Sequence, residues 1–455
     1  MPLVSINPAT GKRLRSYREH TPAQAAAALA QAHAAQQAWR ELALADRGRH
    51  VHALAAQLRE ERETLAALIT AEMGKPVTQA RTEIEKCAKC CDFYALHAAR
   101  LLKPERPLGA PKQARIVFEP VGVVLALMPW NFPFWQVFRA AAPALMAGNT
   151  VLLKHAPNTS GCALAIEQLF ARAGVPAGLL RVALGGSELV AGLIADPRIN
   201  AISLTGSTAA GRKIAALAGA HLKPCVFELG GSDPYVILGD ADLAHAAEVC
   251  ATARLVNNGQ TCIGAKRCIV VERVRADFER LFLERMQARR TGDPALDSTE
   301  IGPLARSDLR ETLHQQVLKS VRRGARLLLG GEIPAGRGNF YPPTVLTDVK
   351  KGMPAYDEEL FGPVAAVITV KDEAEAIAVA NDTVYGLGAA VFTRRSRRGR
   401  EIATTQLEAG MVFVNEQVRS DVTLPFGGTK QSGYGRELGT YGIREFVNVK
   451  TVWVR

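Results

Sequence analysis

The sequence predicts an α/β protein of more than one lobe, and three observations carry that prediction. Short β-branched or apolar runs alternate with segments of helical periodicity from residue 121 onward, the pattern of βαβ units and parallel sheet. The chain has 455 residues, more than one hydrophobic core ordinarily serves. Two adjacent glycines, Gly230 and Gly231, separate one alternating series from the next.

The elements follow in order, and the N-terminal hundred residues read as helices. Thr21 is placed to cap a helix that starts at Pro22 and runs through an Ala-rich stretch to about Leu42. The spacing of Val51, Leu54, Leu58, Leu65, Leu68 and Ile69 predicts one helix from about Asp46 to Met73, ended by Gly74. A third helix is expected over Val77–Leu101. Strands are expected at Val121–Leu127, Val151–Lys154, Ile202–Thr205 and Val226–Leu229, with helices around Trp135–Met146, Ser160–Arg172 and Ala209–Ala218 between them. After residue 265 the alternation resumes with Arg267–Val271, helices near Ala276–Arg289 and Ser307–Arg323, then Ala325–Leu329, Val364–Val370 and a helix near Ala374–Ala380.

Composition narrows the class. Hydrophobic residues make up 48% and charged residues 22%, as in a globular, soluble chain. The first twenty residues hold no apolar core of a secretory signal, and no window approaches a membrane span. A cytoplasmic setting is therefore expected. The net charge of +12 comes from scattered Lys and Arg. The short run Arg394, Arg395, Arg397, Arg398 and Arg400 reads as a solvated face, and no nucleic-acid motif is present. The eight cysteines read as reduced thiols. Cys87, Cys90 and Cys91 have no partner Cys or His pair at zinc spacing and suit one buried helix face, so no metal site is expected.

Three segments carry chemistry. Asn257-Asn258-Gly259-Gln260-Thr261-Cys262 sets a thiol behind a tight backbone. Glu228-Leu229-Gly230-Gly231 sets a carboxylate at a strand end. Pro129-Trp130-Asn131-Phe132-Pro133 holds an amide side chain between two prolines. These segments, in this order, resemble the aldehyde dehydrogenase superfamily. So do Thr205-Gly206-Ser207-Thr208, Glu359-Leu360-Phe361-Gly362-Pro363 and Pro425-Phe426-Gly427-Gly428, and the resemblance spans essentially the whole chain. It implies that the Cys262 thiolate adds to an aldehyde carbonyl, that the Asn131 amide and the Cys262 N–H hold the oxyanion, and that Glu228 activates the water that hydrolyses the thioester.

The cofactor reading rests on the same resemblance. Gly206–Gly211 follows a strand and opens a helix, a suitable cradle for phosphate, yet it is neither a P-loop nor G-x-G-x-x-G. The resemblance gives Ser207 to the pyrophosphate, Lys154 to the adenine ribose and Glu359, with Phe361 nearby, to the nicotinamide ribose. Trp130, Pro157, Thr205, Gly206, Gly211 and Leu229 complete the expected dinucleotide contacts. Many NAD-preferring members carry Glu three residues after the strand-end Lys, where this chain has Pro157. With no carboxylate to repel a 2′-phosphate, NADP is expected to be accepted and preferred, and NAD is not excluded.

Within the family the chain is most similar to the short bacterial succinate-semialdehyde dehydrogenases, through Phe132–Arg139, Leu153–Ala156 and Gly433–Gly439. Arg139 offers a bidentate fork for a substrate carboxylate, with Ser420 and Phe426 in the substrate region. Longer relatives place a second Arg where this chain has Val256, with Arg254 two residues away, and a second Cys where it has Gly264, so the redox switch of those relatives is not expected. The expected reaction is NAD(P)-dependent oxidation of succinate semialdehyde to succinate. The alternatives are another semialdehyde or an aliphatic or aromatic aldehyde, then a CoA-acylating dehydrogenase or a non-catalytic scaffold. The resemblance also implies a Rossmann-like cofactor domain (1–101 and 121–230), a catalytic domain (231–444) and a bridging element (102–120 and 445–455) that assembles a homodimer or homotetramer.

Overall fold

The computed structural model describes residues 2–455. Two sheets organise it. The first has six strands, in the order Gly433–Tyr434, Cys225–Glu228, Ile199–Thr205, Val123–Met128, Thr150–His155 and Leu180–Val182. All its pairings are parallel except that of Gly433–Tyr434 with Phe227–Glu228. From the central Val123–Met128 strand the chain builds outward through Thr150–His155 on one side and through Ile199–Thr205 on the other. The order therefore reverses at that strand, and the crevice beyond the carboxyl ends of such strands is where α/β sheets bind ligands. Each of the six residues of Val123–Met128 is buried, because helices cover both faces.

The second sheet has seven strands, in the order Arg326–Leu329, Thr344–Thr347, Val364–Val370, Arg267–Val271, Pro234–Ile237, Gly388–Phe392 and Met411–Val414. Only the Arg326–Leu329 edge is antiparallel. Gly230 and Gly231 lie between Cys225–Glu228 of the first sheet and Pro234–Ile237 of the second. The return of Gly433–Tyr434 to the first sheet means that residues 231–444 are not confined to the second. Ala114–Pro120 and Val447–Trp453 form a separate antiparallel ribbon. Its second strand leaves Val449 and Trp453 exposed.

Two expectations need correction. The stretch Asp46–Met73 is two helices, Leu44–Glu60 and Arg62–Met73. Glu61 breaks the run at φ −93°, ψ 9°, and its carboxylate accepts two bonds from Arg172, at 2.6 and 2.7 Å. The N-terminal residues are not all helical either: Leu3–Ile6 pairs with Arg13–Tyr17, strands too short and too exposed for alternation to reveal. The Thr21 cap is present as a full capping box with Gln24. Cys87, Cys90 and Cys91 lie on the buried face of the Val77–Leu101 helix.

Candidate active site

The loop that carries Cys262 is built from left-handed backbone. Asn257, Asn258 and Gly259 have φ of 55°, 57° and 73°. Asparagine tolerates that region better than most residues, and here the side chains pin it. Asn257 Nδ2 donates to the carbonyls of Asn131 (2.8 Å) and Gln260 (3.0 Å). Asn258 Nδ2 donates to Gly74 and Pro303, and its Oδ1 accepts from Gly302. Gln260 Oε1 accepts from Ala305 N at 2.9 Å. Gly259 is required by contact as well: a Cβ there would stand 2.3 Å from the Gly362 backbone. The thiol loop thus rests directly on the Glu359–Pro363 segment.

Glycines also bring Glu228 and Glu359 to this loop. A Cβ on Gly231 would lie 2.7 Å from the Cys262 carbonyl, and one on Gly230 2.6 Å from Glu359 Oε2. Lys266 ties the group together. Its Nζ donates to the carbonyls of Gly231 (2.5 Å) and Cys262 (2.8 Å) and to Glu359 Oε1 (2.7 Å). Nothing in the sequence distinguished Lys266; only its spacing of four residues after the thiol hinted that it could fold back.

Cys262 is half-buried and opens on a cavity of about 320 Å³, whose walls include Phe132, Trp135, Arg139, Ser420 and Phe426. Burial pushes its thiol up to about 12, while Arg139 and Lys266 pull the other way. Asn131 Nδ2 donates to Gln260 O at 3.1 Å, which leaves its second proton available to an oxyanion. The Cys262 N–H has no acceptor among the described residues. The Asn131 loop is anchored from the next strand. His155 Nδ1 accepts from Ala156 N, so Nε2 carries the proton and donates to Pro133 O at 2.9 Å. Burial lowers His155 to about 4, which keeps it neutral.

Glu228 is buried at the end of its strand, and neither carboxylate oxygen has a partner. Burial and the Glu437 carboxylate hold its pKa well above the usual range, against Arg139 and Arg436. Such a group takes up a proton readily at neutral pH. Gly427, at φ 153°, keeps its space open: a Cβ there would lie 2.7 Å from Glu228 Oε1.

Arg139 lines the cavity, but its guanidinium is already engaged. It is ion-paired with Glu437, donates to Thr205 Oγ1 at 3.2 Å and stacks 4.5 Å over the Phe426 ring. The fork offered to a substrate carboxylate is therefore shared with Glu437 and with the Thr205 hydroxyl. Glu437 stands in the Gly433–Gly439 segment, and its distance along the chain from Arg139 conceals the pair. Ser420 Oγ accepts from Lys86 Nζ at 2.5 Å, a contact no sequence pattern announced.

The residues expected to hold a dinucleotide gather at the carboxyl ends of the first sheet. Ser207 caps the Thr208–Ala220 helix, its Oγ accepting from Ala210 N. Its hydroxyl proton and the first helical amides are left for an anion. A Cβ on Gly206 would meet nothing closer than 3.8 Å, so the approach there is open. Gly211 packs instead: its N–H bonds Ser207 O, and a Cβ would press within 2.5 Å of Leu229. Lys154 ends its strand with its pKa lowered by burial, partly offset by Glu19. Pro157 opens the short turn just beyond. Trp130 meets Phe361 edge to face at 5.7 Å, beside Glu359. A phosphate cradle and a half-buried lysine at one end, with a carboxylate and aromatic rings at the other, fit a dinucleotide.

A thiol and a carboxylate facing a dinucleotide crevice across two α/β lobes define an aldehyde-oxidising enzyme, and the chain belongs to the aldehyde dehydrogenase family, whose pattern matches residues 2–452. It is 47% identical over 450 residues to a succinate semialdehyde dehydrogenase [NAD(P)+] of Escherichia coli strain K12, covering 99% of this chain and 97% of that protein. It is 45% identical to a succinate-semialdehyde dehydrogenase [NADP(+)] of Mycobacterium bovis strain BCG, covering all of both chains. The solved succinic semialdehyde dehydrogenase of Streptococcus pyogenes in complex with NADP+ matches with a TM-score of 0.96 and 36% identity over 99% of each chain.

Proposed function

We propose that this enzyme oxidises succinate semialdehyde to succinate with NADP or NAD, NADP preferred. The reading is carried by full-length similarity to enzymes of that name, together with a cationic wall in the cavity that holds Cys262. Cys262 loses its proton and adds to the aldehyde carbon. The Asn131 amide and the Cys262 N–H stabilise the resulting oxyanion, and each such donor contributes on the order of 10²–10³ in rate. A bound dinucleotide supplies the hydride acceptor. Glu228 then takes a proton from the water that hydrolyses the Cys262 thioester. Lys154, Ser207 and Glu359 hold the dinucleotide, and at Pro157 no acid opposes a 2′-phosphate.

The enzyme works as a homodimer or homotetramer, supported by the exposed Val449 and Trp453 on the ribbon strand. All eight cysteines are free thiols, consistent with a reducing cytoplasm.

A steady-state panel of succinate semialdehyde, butanal and benzaldehyde against both dinucleotides tests the proposal. Succinate semialdehyde is expected to give the highest kcat/KM, and NADP the higher value of the two cofactors. A higher kcat/KM for butanal or benzaldehyde would remove the substrate reading.

A further inference from the structure

One wall of the substrate cavity holds a cation without a counter-ion among the described residues. Lys86 projects from the Val77–Leu101 helix into the wall that also carries Trp135, Arg139 and Ser420. Its Nζ lies 4.3 Å over the Trp135 ring and donates to Ser420 Oγ. No carboxylate pairs with it among the described residues, and its neighbours are engaged elsewhere. Glu83, one turn back on the same helix, pairs with Lys75 and accepts from the amides of Phe134 and Trp135. Asp421 accepts from the backbone and hydroxyl of Thr423. The other cations of the cavity differ: Arg139 is paired with Glu437, and Arg419 with Glu416 at 2.9 Å.

A half-buried ammonium without a counter-ion costs stability unless a ligand supplies the negative charge. Ser420 accepts from Lys86, so its own proton is left to donate. Ammonium and hydroxyl together offer two donors for one carboxylate. Cys262 opens on the same cavity, so an aldehyde with a carboxylate at its far end can meet the thiol and this pair at once. We propose that Lys86, with Ser420, is the specificity-determining clamp for the substrate's distal carboxylate, and that Arg139 mainly braces the wall through Glu437 and Thr205. The inference rests on the succinate semialdehyde reading.

The test compares Lys86→Met and Lys86→Arg with the unaltered enzyme, using succinate semialdehyde and butanal. The readout is the ratio of kcat/KM for the anionic to the uncharged aldehyde. Lys86→Met is expected to lower that ratio roughly 10- to 100-fold, as loss of a charged hydrogen bond does. The loss should fall on KM for succinate semialdehyde rather than on kcat, and Lys86→Arg should restore part of it. A merely structural lysine would change both aldehydes in parallel. Should Lys86→Met not fold, Lys86→Gln gives the same readout with a polar, uncharged side chain. An unchanged ratio in the uncharged variant overturns the clamp. A low ratio in the unaltered enzyme overturns the substrate reading instead, so the two failures are distinguishable.

Discussion

The two ends of the substrate cavity are built on opposite principles. At the thiol end the side chains of Asn257, Asn258 and Gln260 are tied into hydrogen bonds, and three successive residues are locked in left-handed backbone. At the far end Lys86 keeps an uncompensated charge and leans only on Ser420 and Trp135. The difference teaches where rigidity is useful. Chemistry at a carbonyl needs donors and nucleophile held in fixed geometry, and the bonds of Asn257, Asn258 and Gln260 that hold the loop are in place before any substrate arrives. Recognition of an anion needs an unsatisfied group, and stability is given up to keep one.

The comparison predicts that damage at the thiol end is blind to the aldehyde, whereas damage at the far end is selective. The largest effect is expected for Cys262→Ser, which should lower kcat on the order of 10⁴-fold or more for every aldehyde. Dinucleotide binding, followed by quenching of tryptophan fluorescence, should persist. Retained turnover would remove the covalent mechanism. Gly259→Ala comes next. Its Cβ would meet the Gly362 backbone, and its φ of 73° is strained for alanine. Displacement of the thiol loop should lower kcat on the order of 100-fold for anionic and uncharged aldehydes alike, with a lower melting temperature. A selective loss for one aldehyde would show that the loop also governs recognition.

How much of this was legible beforehand follows the same division. Cys262, Glu228 and Asn131 stand in short contiguous motifs, and so do the strand-to-helix turn at Ser207 and the Glu359–Pro363 segment. Strands such as Arg267–Val271 and Val364–Val370 showed as largely apolar runs, because both faces are covered. What stayed hidden depends on contacts between distant segments. The Arg139–Glu437 pair joins a helix of the first lobe to a loop near the C terminus, and no local pattern pairs the two. Lys86 shares its helix with one other lysine, the exposed Lys89, and only the fold brings it to Ser420. The bond from Arg172 to Glu61, at the break between the two helices, likewise lies beyond the reach of helical periodicity.

The smallest effect concerns pH and sharpens the far end. Burial, with Arg139 adding repulsion, lowers Lys86 from 10.5 to about 8. The groups facing it are Arg139 from the Trp135–Met146 helix, Glu83, Cys87 and Cys90 from its own helix, and Asp421 beside Ser420. Burial pushes both thiols up, so neither ionises near pH 8. Asp421 is held low by its bonds to Thr423. The sign follows: Lys86 is charged below about 8 and loses its proton as pH rises through that value. The kcat/KM ratio of succinate semialdehyde to butanal reports the free enzyme and cancels the ionisation of Cys262, which both aldehydes share. It should be flat below the break and fall above it, by up to about tenfold per pH unit while the clamp dominates. In Lys86→Met the break should vanish. A break that survives in that variant would assign the titration to another group and leave the far end without its charge switch.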